Sequence, residues 1–398
     1  MLYKNILMAE ENYIELNLDS GNNDVLLDLN FYYKRIDNIM TYINDLKAKL
    51  NVKYNDLTSM LNAVEAHLNS ESCENDNIQV IEEDVDTLDD LIYVAKKYGT
   101  PNKINIYNID TSILYNIVKP LEQLKQVVGL NNIKDQIIDQ IITSIMGIYD
   151  DDLMFHTVIT GPPGVGKTMI AKILGELYLK MGILKSKSDS LVFNIAKRSD
   201  LIGKYLGHTA IKTQDFIDKC VGGVMFIDEV YSLGNIEQRD SFAKECIDTI
   251  NLNLTEKKNF ICIIAGYEKE INDCFFSYNP GLNRRFPFRY KIEKYSSDDL
   301  VNIFIEKIKN SSWKLDDKID NDWLNKKILD NILYFNNYGG DIDNLILKIK
   351  IVHGRRIFGK HKDLKKIITK SDIEKGIQKL ILSKENTNKN TPPFMMYI

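Results

Sequence analysis

The segment GPPGVGKT, Gly161 to Thr168, has the residue types and the spacing of a loop that binds phosphate. Its glycines let backbone N–H groups surround phosphate oxygens, because no Cβ blocks their approach. The Lys167 ammonium can reach the β- and γ-phosphates, and the Thr168 hydroxyl can bind Mg²⁺. The pattern therefore predicts a site for a nucleoside triphosphate and magnesium. The residues assigned to it are Gly161, Pro162, Pro163, Gly164, Val165, Gly166, Lys167, Thr168 and Met169.

A pair of acidic residues ends the apolar segment GGVMFIDE. Asp228 is placed to hold the Mg²⁺ shell, as a carboxylate at the end of a strand does beside a phosphate-binding loop. Glu229 follows it and can polarise a water molecule for in-line attack on the γ-phosphate. Together, the two motifs predict hydrolysis of the bound nucleotide.

Both motifs need strands and helices to position them. The apolar segment FHTVIT precedes the phosphate loop, and apolar residues at helical spacing follow it. The loop therefore joins a strand to a helix N-terminus, whose positive end favours phosphate. Short apolar segments that alternate with helical ones predict an α/β fold, with a parallel sheet covered by helices on both faces. The predicted strands are FHTVIT, SLVFNI, GVMFID, FICIIAG and FRYKI.

Three arginines, Arg284, Arg285 and Arg289, lie together in the segment NPGLNRRFPFRYKI. A guanidinium at the end of a helix, ahead of an edge strand, can project out of its own subunit. Against a neighbour's γ-phosphate it would stabilise transition-state charge as an arginine finger. We favour this role over a surface ion pair. Codon bias is an alternative explanation for the clustering of arginine.

The loop SDLIGKYLGHTAIKT places Tyr205 and Leu206 between Gly203 and Gly207. Flanking glycines allow a loop to move, and an exposed tyrosine gives a broad contact that tolerates many sequences. A tyrosine packed under its own loop is the alternative.

Composition limits the classes of function. The 398 residues are 44% hydrophobic and 27% charged, as in ordinary globular proteins. The net charge of −5 gives no general attraction to nucleic acid or anionic membranes. The five cysteines form no C-x-x-C pair, which favours a reducing compartment over disulfides or a zinc site. Neither a signal peptide nor a membrane span is predicted, so a cytoplasmic location is expected.

Composition and periodicity predict four segments. Residues 1–110 are expected to form a mainly helical N-terminal domain, with a helical hairpin between Phe31 and Leu68. The nucleotide-binding domain is expected over residues 111–297. A helical domain is predicted at 298–385 and a flexible tail at 386–398.

Two short motifs raise GTP as an alternative nucleotide. DLIG, which begins at Asp200, matches D-x-x-G but does not follow a strand that ends at the aspartate. TKSD, Thr369 to Asp372, resembles a guanine-reading motif but is interpreted as a helix start capped by Ser371 or Asp372. ATP is therefore favoured.

These motifs together resemble those of AAA+ ATPases. From Val128 to about Ser297, the chain is similar to the group of red-type rubisco activases (CbbX) and stage V sporulation protein K. The matching phrases are VGLNNIK, GPPGVGKT, DLIGKYLGHTAIKT, GGVMFIDEVYSL, FAKECIDTI, AGY and NPGLNRRFP. GGDIDNLILKIKIVHGRRIF and PPFMMYI resemble versions carried by large DNA viruses, for which the host cytoplasm is the expected location.

The resemblance implies a homo-oligomeric ring, usually a hexamer, with ATP at the subunit boundaries and a helical C-terminal lid. Val128 and Gly129 would line the adenine pocket. Arg285 would be the arginine finger, with Arg289 as a second. Tyr205 would be the pore-loop residue, next to Leu206, that pulls on a client polypeptide.

The sequence departs from the AAA+ pattern at two positions. Tyr267 stands where many AAA+ proteins have an asparagine that positions water. The lid arginine of many relatives would fall near Gly340 or Asp341, and neither residue can bind phosphate through a cation. Arg355 and Arg356 are expected on the surface of their helix or at a subunit contact.

The expected function is ATP-driven remodelling or threading of a protein client. Two alternatives stay open. One is a nucleic-acid motor or loader, although the negative charge and the lack of a basic and aromatic stripe weigh against it. The other is a nucleotide-gated assembly protein that switches state without pulling.

Overall fold

The computed structural model describes residues 40–41, 79–101, 107, 109–150, 152–186, 190–205, 207–257, 259–360 and 365–389. Contacts divide the chain into two compact units, Met1–Asn77 and Ile78–Ile398. The hairpin predicted between Phe31 and Leu68 lies outside the described residues, apart from positions 40 and 41, which are helical. The sheet and its helices belong to the second unit.

Three helices precede the sheet: α1 Leu88–Tyr98, α2 Thr111–Gln126 and α3 Asn131–Ile145. Thr87 and Asp90 form a capping box at the start of α1, and the Asp110 carboxylate accepts the Ser112 N–H at the start of α2. Such caps satisfy N–H groups that have no partner within the helix. The apolar faces of all three helices join the main hydrophobic core.

The centre of the unit is a five-stranded parallel sheet with strand order β2-β3-β4-β1-β5. Its strands are β1 Thr157–Thr160, β2 Phe193–Ala196, β3 Val224–Ile227, β4 Ile261–Gly266 and β5 Phe288–Lys291. Each predicted segment contains its strand, except that β2 extends one residue further, to Ala196. In β1, Val158 pairs with Ile264 of β4 on one side and with Arg289 of β5 on the other.

Helices cover both faces of this sheet, as predicted. They are α4 Lys167–Lys180, α5 Arg198–Leu201, α6 His208–Lys219, α7 Ser241–Glu256 and α8 Glu268–Cys274. Neighbouring residues of β1 belong to different cores, because side chains alternate along a strand: Val158 packs in one core and Ile159 in the other. The α/β fold class is therefore confirmed.

The C-terminal part, which we call the lid, is mainly helical. Its elements are α9 Ser297–Asn310, β6 Lys314–Leu315, α10 Asn321–Leu329, α11 Gly339–Ile357, β7 Ile367–Ile368 and α12 Lys370–Lys389. Strands β6 and β7 pair with each other in parallel. Residues 386–389 of the predicted flexible tail are helical, and residues 390–398 lie outside the described part of the chain.

The expectation that Arg355 and Arg356 both lie on the surface of their helix is wrong for Arg356, which pairs with Asp372 near the start of α12. Arg355 is exposed, but Arg356 is not on a free surface: its Nη2 donates to Oδ2 of the buried Asp372 at 2.8 Å. Burial by itself would raise the pKa of Asp372. Hydrogen bonds from Arg356 and Thr369 outweigh this effect and hold the pKa below its usual range. The helix begins at Lys370, before the predicted caps, so Ser371 and Asp372 lie within its first turn. There the Asp372 carboxylate accepts the Thr369 N–H at 3.0 Å.

Within the described residues, no helix is both long and apolar enough to cross a membrane.

Candidate active site

A cleft of about 980 Å³ lies where β1, β3 and β4 end, between the sheet and the lid. It brings together most of the residues predicted for the site, and these are Val128, Pro163, Gly164, Val165, Gly166, Lys167, Thr168, Met169, Asp228, Glu229 and Tyr267. The predicted residues that do not line it are Gly129, Gly161, Pro162, Tyr205, Arg285 and Arg289. Leu206 lies outside the described residues.

The phosphate loop adopts a conformation that depends on its glycines. Gly164 and Gly166 have φ angles of +73° and +93°, which residues with a Cβ rarely adopt. Gly166 precedes α4, so the first N–H groups of that helix face the cleft. The Lys167 Nζ donates to the carbonyl oxygens of Gly161 and Pro162, at 2.9 and 2.8 Å.

Burial lowers the pKa of Lys167, and the nearby carboxylates of Asp228 and Glu229 oppose that shift. The two acidic residues follow the fully buried strand β3 and are themselves exposed to the cleft. Glu229 has φ +49° and ψ +48°, a left-handed conformation that costs a non-glycine residue on the order of 1 kcal/mol. Its N–H donates to the Asp228 Oδ1 at 3.0 Å. The backbone thus turns sharply at the candidate general base.

Tyr231 is a cleft residue that the sequence reasoning missed. Its ring stacks on that of Tyr267, with centroids 5.8 Å apart and planes at 23°. The Lys167 Nζ lies 5.6 Å from the centroid of the Tyr267 ring. Burial raises the pKa of Tyr231 to about 12, and the Glu229 carboxylate adds to this effect. The aromatic pair therefore links the candidate base to the loop lysine.

The residues of the lid wall of the cleft were also not predicted, although Gly340 had been named as a position near which the lid arginine of relatives would fall. The residues of this wall are Ile303, Glu306, Lys307, Asn310, Gly339, Gly340 and Asp343. The Lys307 Nζ forms an ion pair with Asp343 at 2.6 Å, which joins α9 to α11. The sequences of α9 and α11 do not identify these residues as part of a binding site. Amphipathic spacing identifies the buried face of a helix, but not the ligand that contacts a partly exposed face.

The clustered arginines lie away from the chain's own cleft. Arg285 ends a 3₁₀ turn, where its Nε donates to the Thr255 Oγ1 at 2.6 Å and its Nη1 to the Gly281 carbonyl at 2.8 Å. Arg289 is exposed on the edge strand β5, hydrogen-bonded to Asn283 and with its guanidinium carbon 4.9 Å from the Phe276 ring centroid.

Tyr205 is 69% exposed, so it does not pack under its own loop. Its ring meets that of His208 edge to face, with centroids 5.6 Å apart. Asp200 lies within the short helix α5, so DLIG does not form the strand-end motif of a GTPase.

Residues 157–294 match the family described as "ATPase family associated with various cellular activities (AAA)". The putative cfxQ-like protein R730 of Acanthamoeba polyphaga mimivirus is 40% identical over 311 residues, which cover 76% of this chain and 74% of that protein. The chain belongs to the AAA ATPase family. Like other members, this AAA ATPase binds nucleotide and hydrolyses ATP.

Two other relatives fall in the group that the sequence motifs resemble. Stage V sporulation protein K of Bacillus subtilis is 42% identical over 171 residues, 41% of this chain and 51% of that protein. The chloroplastic ribulose bisphosphate carboxylase/oxygenase activase of Cyanidioschyzon merolae is 32% identical over 249 residues, 60% of this chain and 78% of that protein. This AAA ATPase thus has both viral and cellular relatives.

Proposed function

We propose that this AAA ATPase forms a ring, most simply a hexamer, in which each ATP site is completed by the adjacent subunit. One observation carries the proposal. The described residues that line the cleft include most of the phosphate loop and both acidic residues but no arginine, while Arg285 lies outside the cleft of its own chain. A guanidinium from a neighbour would supply the missing charge at the γ-phosphate. The proposed domains are 111–297 for nucleotide binding and 298–385 for the lid.

The residues predicted for the site have these roles in the proposal. Lys167 holds the β- and γ-phosphates. Val128 lies beside the adenine, and Gly129, which does not line the cleft, is its neighbour in the chain. Glu229 orients the attacking water and takes up its proton. The Thr168 hydroxyl and the Asp228 carboxylate are oxygen donors of the type that Mg²⁺ prefers, and they fit that ion. Mg²⁺, when bound, neutralises charge on the β- and γ-phosphates.

The client in this proposal is a protein. Tyr205 is an exposed aromatic between two glycines, a site suited to gripping polypeptides of varied sequence. The relative from Cyanidioschyzon merolae is named as an activase of another enzyme, which supports a remodelling role for this chain. ATP binding and hydrolysis would shift the ring between states, and Tyr205 with Leu206 would transmit that movement to the client.

Mixed oligomers test the shared site. Arg285→Ala and Lys167→Ala should each abolish most ATPase activity. In an equimolar mixture, about a quarter of the interfaces combine an intact loop with an intact finger, so activity should recover toward about a quarter of the parent value. If the mixture stays as inactive as its components, the two residues do not act across an interface.

A trapped form tests the client. Glu229→Gln should bind ATP but turn it over at least ~100-fold more slowly, so that a bound client co-purifies in ATP. Tyr205→Ala should keep basal ATPase activity and lose the client's effect. Full biological activity of Tyr205→Ala would instead favour a nucleotide-gated assembly protein. DNA-stimulated ATPase activity would favour a nucleic-acid motor.

A further inference from the structure

The lid touches the phosphate loop through its backbone. The Gly339 N–H, at the start of α11, donates to the Gly164 carbonyl oxygen at 3.0 Å. A Cβ at Gly164 would lie only 1.9 Å from the carbonyl oxygen of Asn337, so the lid turn, Asn337–Gly340, rests directly on the loop. Tyr338, within that turn, has φ +40° and ψ −107°, a conformation that side chains disfavour. Other contacts must therefore hold the turn in place.

An ion pair between buried Asp341 and partly exposed Lys384 provides those contacts. Asp341 is 1% exposed, and its Oδ2 accepts both the Asn337 N–H at 2.8 Å and the Lys384 Nζ at 2.6 Å. Lys384, on α12, also donates to the Tyr334 carbonyl oxygen at 2.6 Å. The pair therefore ties α12 to both ends of the segment that leads into α11. The other carboxylate oxygen of Asp341 is buried without a hydrogen-bond partner among the described residues.

Such a pair is expected to add little net free energy to the stability of the fold. Desolvation of two charges offsets much of their attraction, and an unpartnered oxygen adds to the cost. The pair does, however, fix the backbone of the turn that meets the phosphate loop. The same turn contributes Gly339 and Gly340 to the cleft, and the first basic residue of α11 is Lys348, beyond its first two turns.

We propose that Asp341 and Lys384 are positioning residues for ATP, which hold the lid turn against the phosphate loop so that lid and loop grip the triphosphate as one unit. Backbone contact through Gly339 would then link the lid to the phosphates, in place of an arginine side chain. This inference rests on the ATP cleft of the proposed function.

Steady-state kinetics with matched variants test the pair. Lys384→Met and Asp341→Asn should each raise the KM for ATP about tenfold and leave kcat within about twofold. Lys384→Arg should restore most of the affinity. The double variant should raise the KM by clearly less than the product of the two single effects, because both single variants break the same ion pair. Lys327→Met is the control: it breaks another lid ion pair, Lys327–Glu374 at 2.9 Å, and should leave the KM within about twofold.

A second variant separates positioning from folding. Gly339→Ala changes no charge, but its methyl group would lie 2.9 Å from the Gly164 carbonyl oxygen and push the turn off the loop. It should raise the KM more than Gly340→Ala, whose methyl group would lie 3.9 Å from the nearest heavy atom.

Hydrogen exchange gives a readout that does not depend on activity. In Lys384→Met, amides of the phosphate-loop peptide should exchange faster, together with those at the start of α11. The inference is overturned if exchange rises only in α11 and α12 and the KM for ATP is unchanged while the unfolding temperature falls. Lys167→Ala separates the two proposals: if it binds ATP like the parent, the cleft assignment itself is wrong.

Discussion

Acidification is expected to destabilise the protein through one buried histidine. His156, just before β1, is 2% exposed, and its Nδ1 accepts the Cys262 N–H at 3.0 Å. Since that nitrogen is an acceptor, the ring is neutral and carries its hydrogen on Nε2, which donates to the Leu254 carbonyl oxygen at 3.1 Å. A second proton, on Nδ1, would make this nitrogen a donor that faces the Cys262 N–H, and two donors repel each other. Protonation therefore breaks the contact between His156, which precedes β1, and Cys262 of β4.

The size of the effect follows from the pKa of His156. Burial lowers this pKa from 6.5 to about 4, and the positive charge of Arg285 adds to the shift. Because the unfolded state then binds the proton more tightly, the stabilisation is complete above about pH 6.5 and is lost as pH falls through about 4. The loss is about 2 kcal/mol by pH ~5 and about 3.4 kcal/mol once both states are protonated.

Urea unfolding, followed by far-UV circular dichroism at pH ~7.5 and ~5, measures this loss. The parent should lose about 2 kcal/mol more than His156→Gln between the two pH values. Ring-labelled histidine NMR gives a direct check that does not need the variant to fold: one of the five histidines should titrate near pH 4. Equal losses in parent and variant, or a His156 midpoint near 6.5, would refute the reasoning.

Three further substitutions have defined outcomes. Tyr267→Ala should lower kcat about tenfold, because Lys167 loses its aromatic contact, whereas Tyr267→Phe should stay within about twofold. Arg356→Met should lower the free energy of unfolding by ~3–5 kcal/mol, since the buried Asp372 carboxylate loses its guanidinium partner. Its exposed neighbour is the control: Arg355→Met should change the free energy of unfolding by less than ~0.5 kcal/mol. Gln140→Leu should cost ~1–3 kcal/mol, because it removes the amide that bonds two buried tyrosine hydroxyls. Urea unfolding measures the stabilities of Arg356→Met, Arg355→Met and Gln140→Leu, and steady-state kinetics measures the kcat of the Tyr267 variants. A smaller loss of stability for Arg356→Met than for Arg355→Met would contradict the role of the ion pair.

The sheet side of the cleft could be predicted from sequence because local patterns specify it. Strands of a parallel sheet are buried on both faces, so each shows as a short apolar segment. Asp228, Glu229 and Tyr267 come directly after such segments, and parallel strands end at one edge. The positions of these side chains at a common edge therefore follow from chain order alone.

The lid side could not be predicted, because it depends on contacts between distant residues. The sequence shows the guanidinium of Arg356 but not that α11 and α12 run antiparallel and bring Asp372 beside it. Lys307 and Asp343 likewise reach the cleft only through the packing of α9 on α11. Tyr231 was missed for a local reason: the left-handed turn at Glu229 reorients the chain after β3.

The position of β1 has a mechanical consequence. This strand leads into the phosphate loop. Its hydrogen bonds to β5 join it to the strand that bears Arg289 and that begins shortly after Arg285. A shift of the loop on nucleotide binding would carry both guanidinium groups with it. In the ring that we propose, the loop that binds one subunit's ATP and the arginines that would reach the next subunit's γ-phosphate would therefore move together. Such movement would couple hydrolysis at adjacent sites.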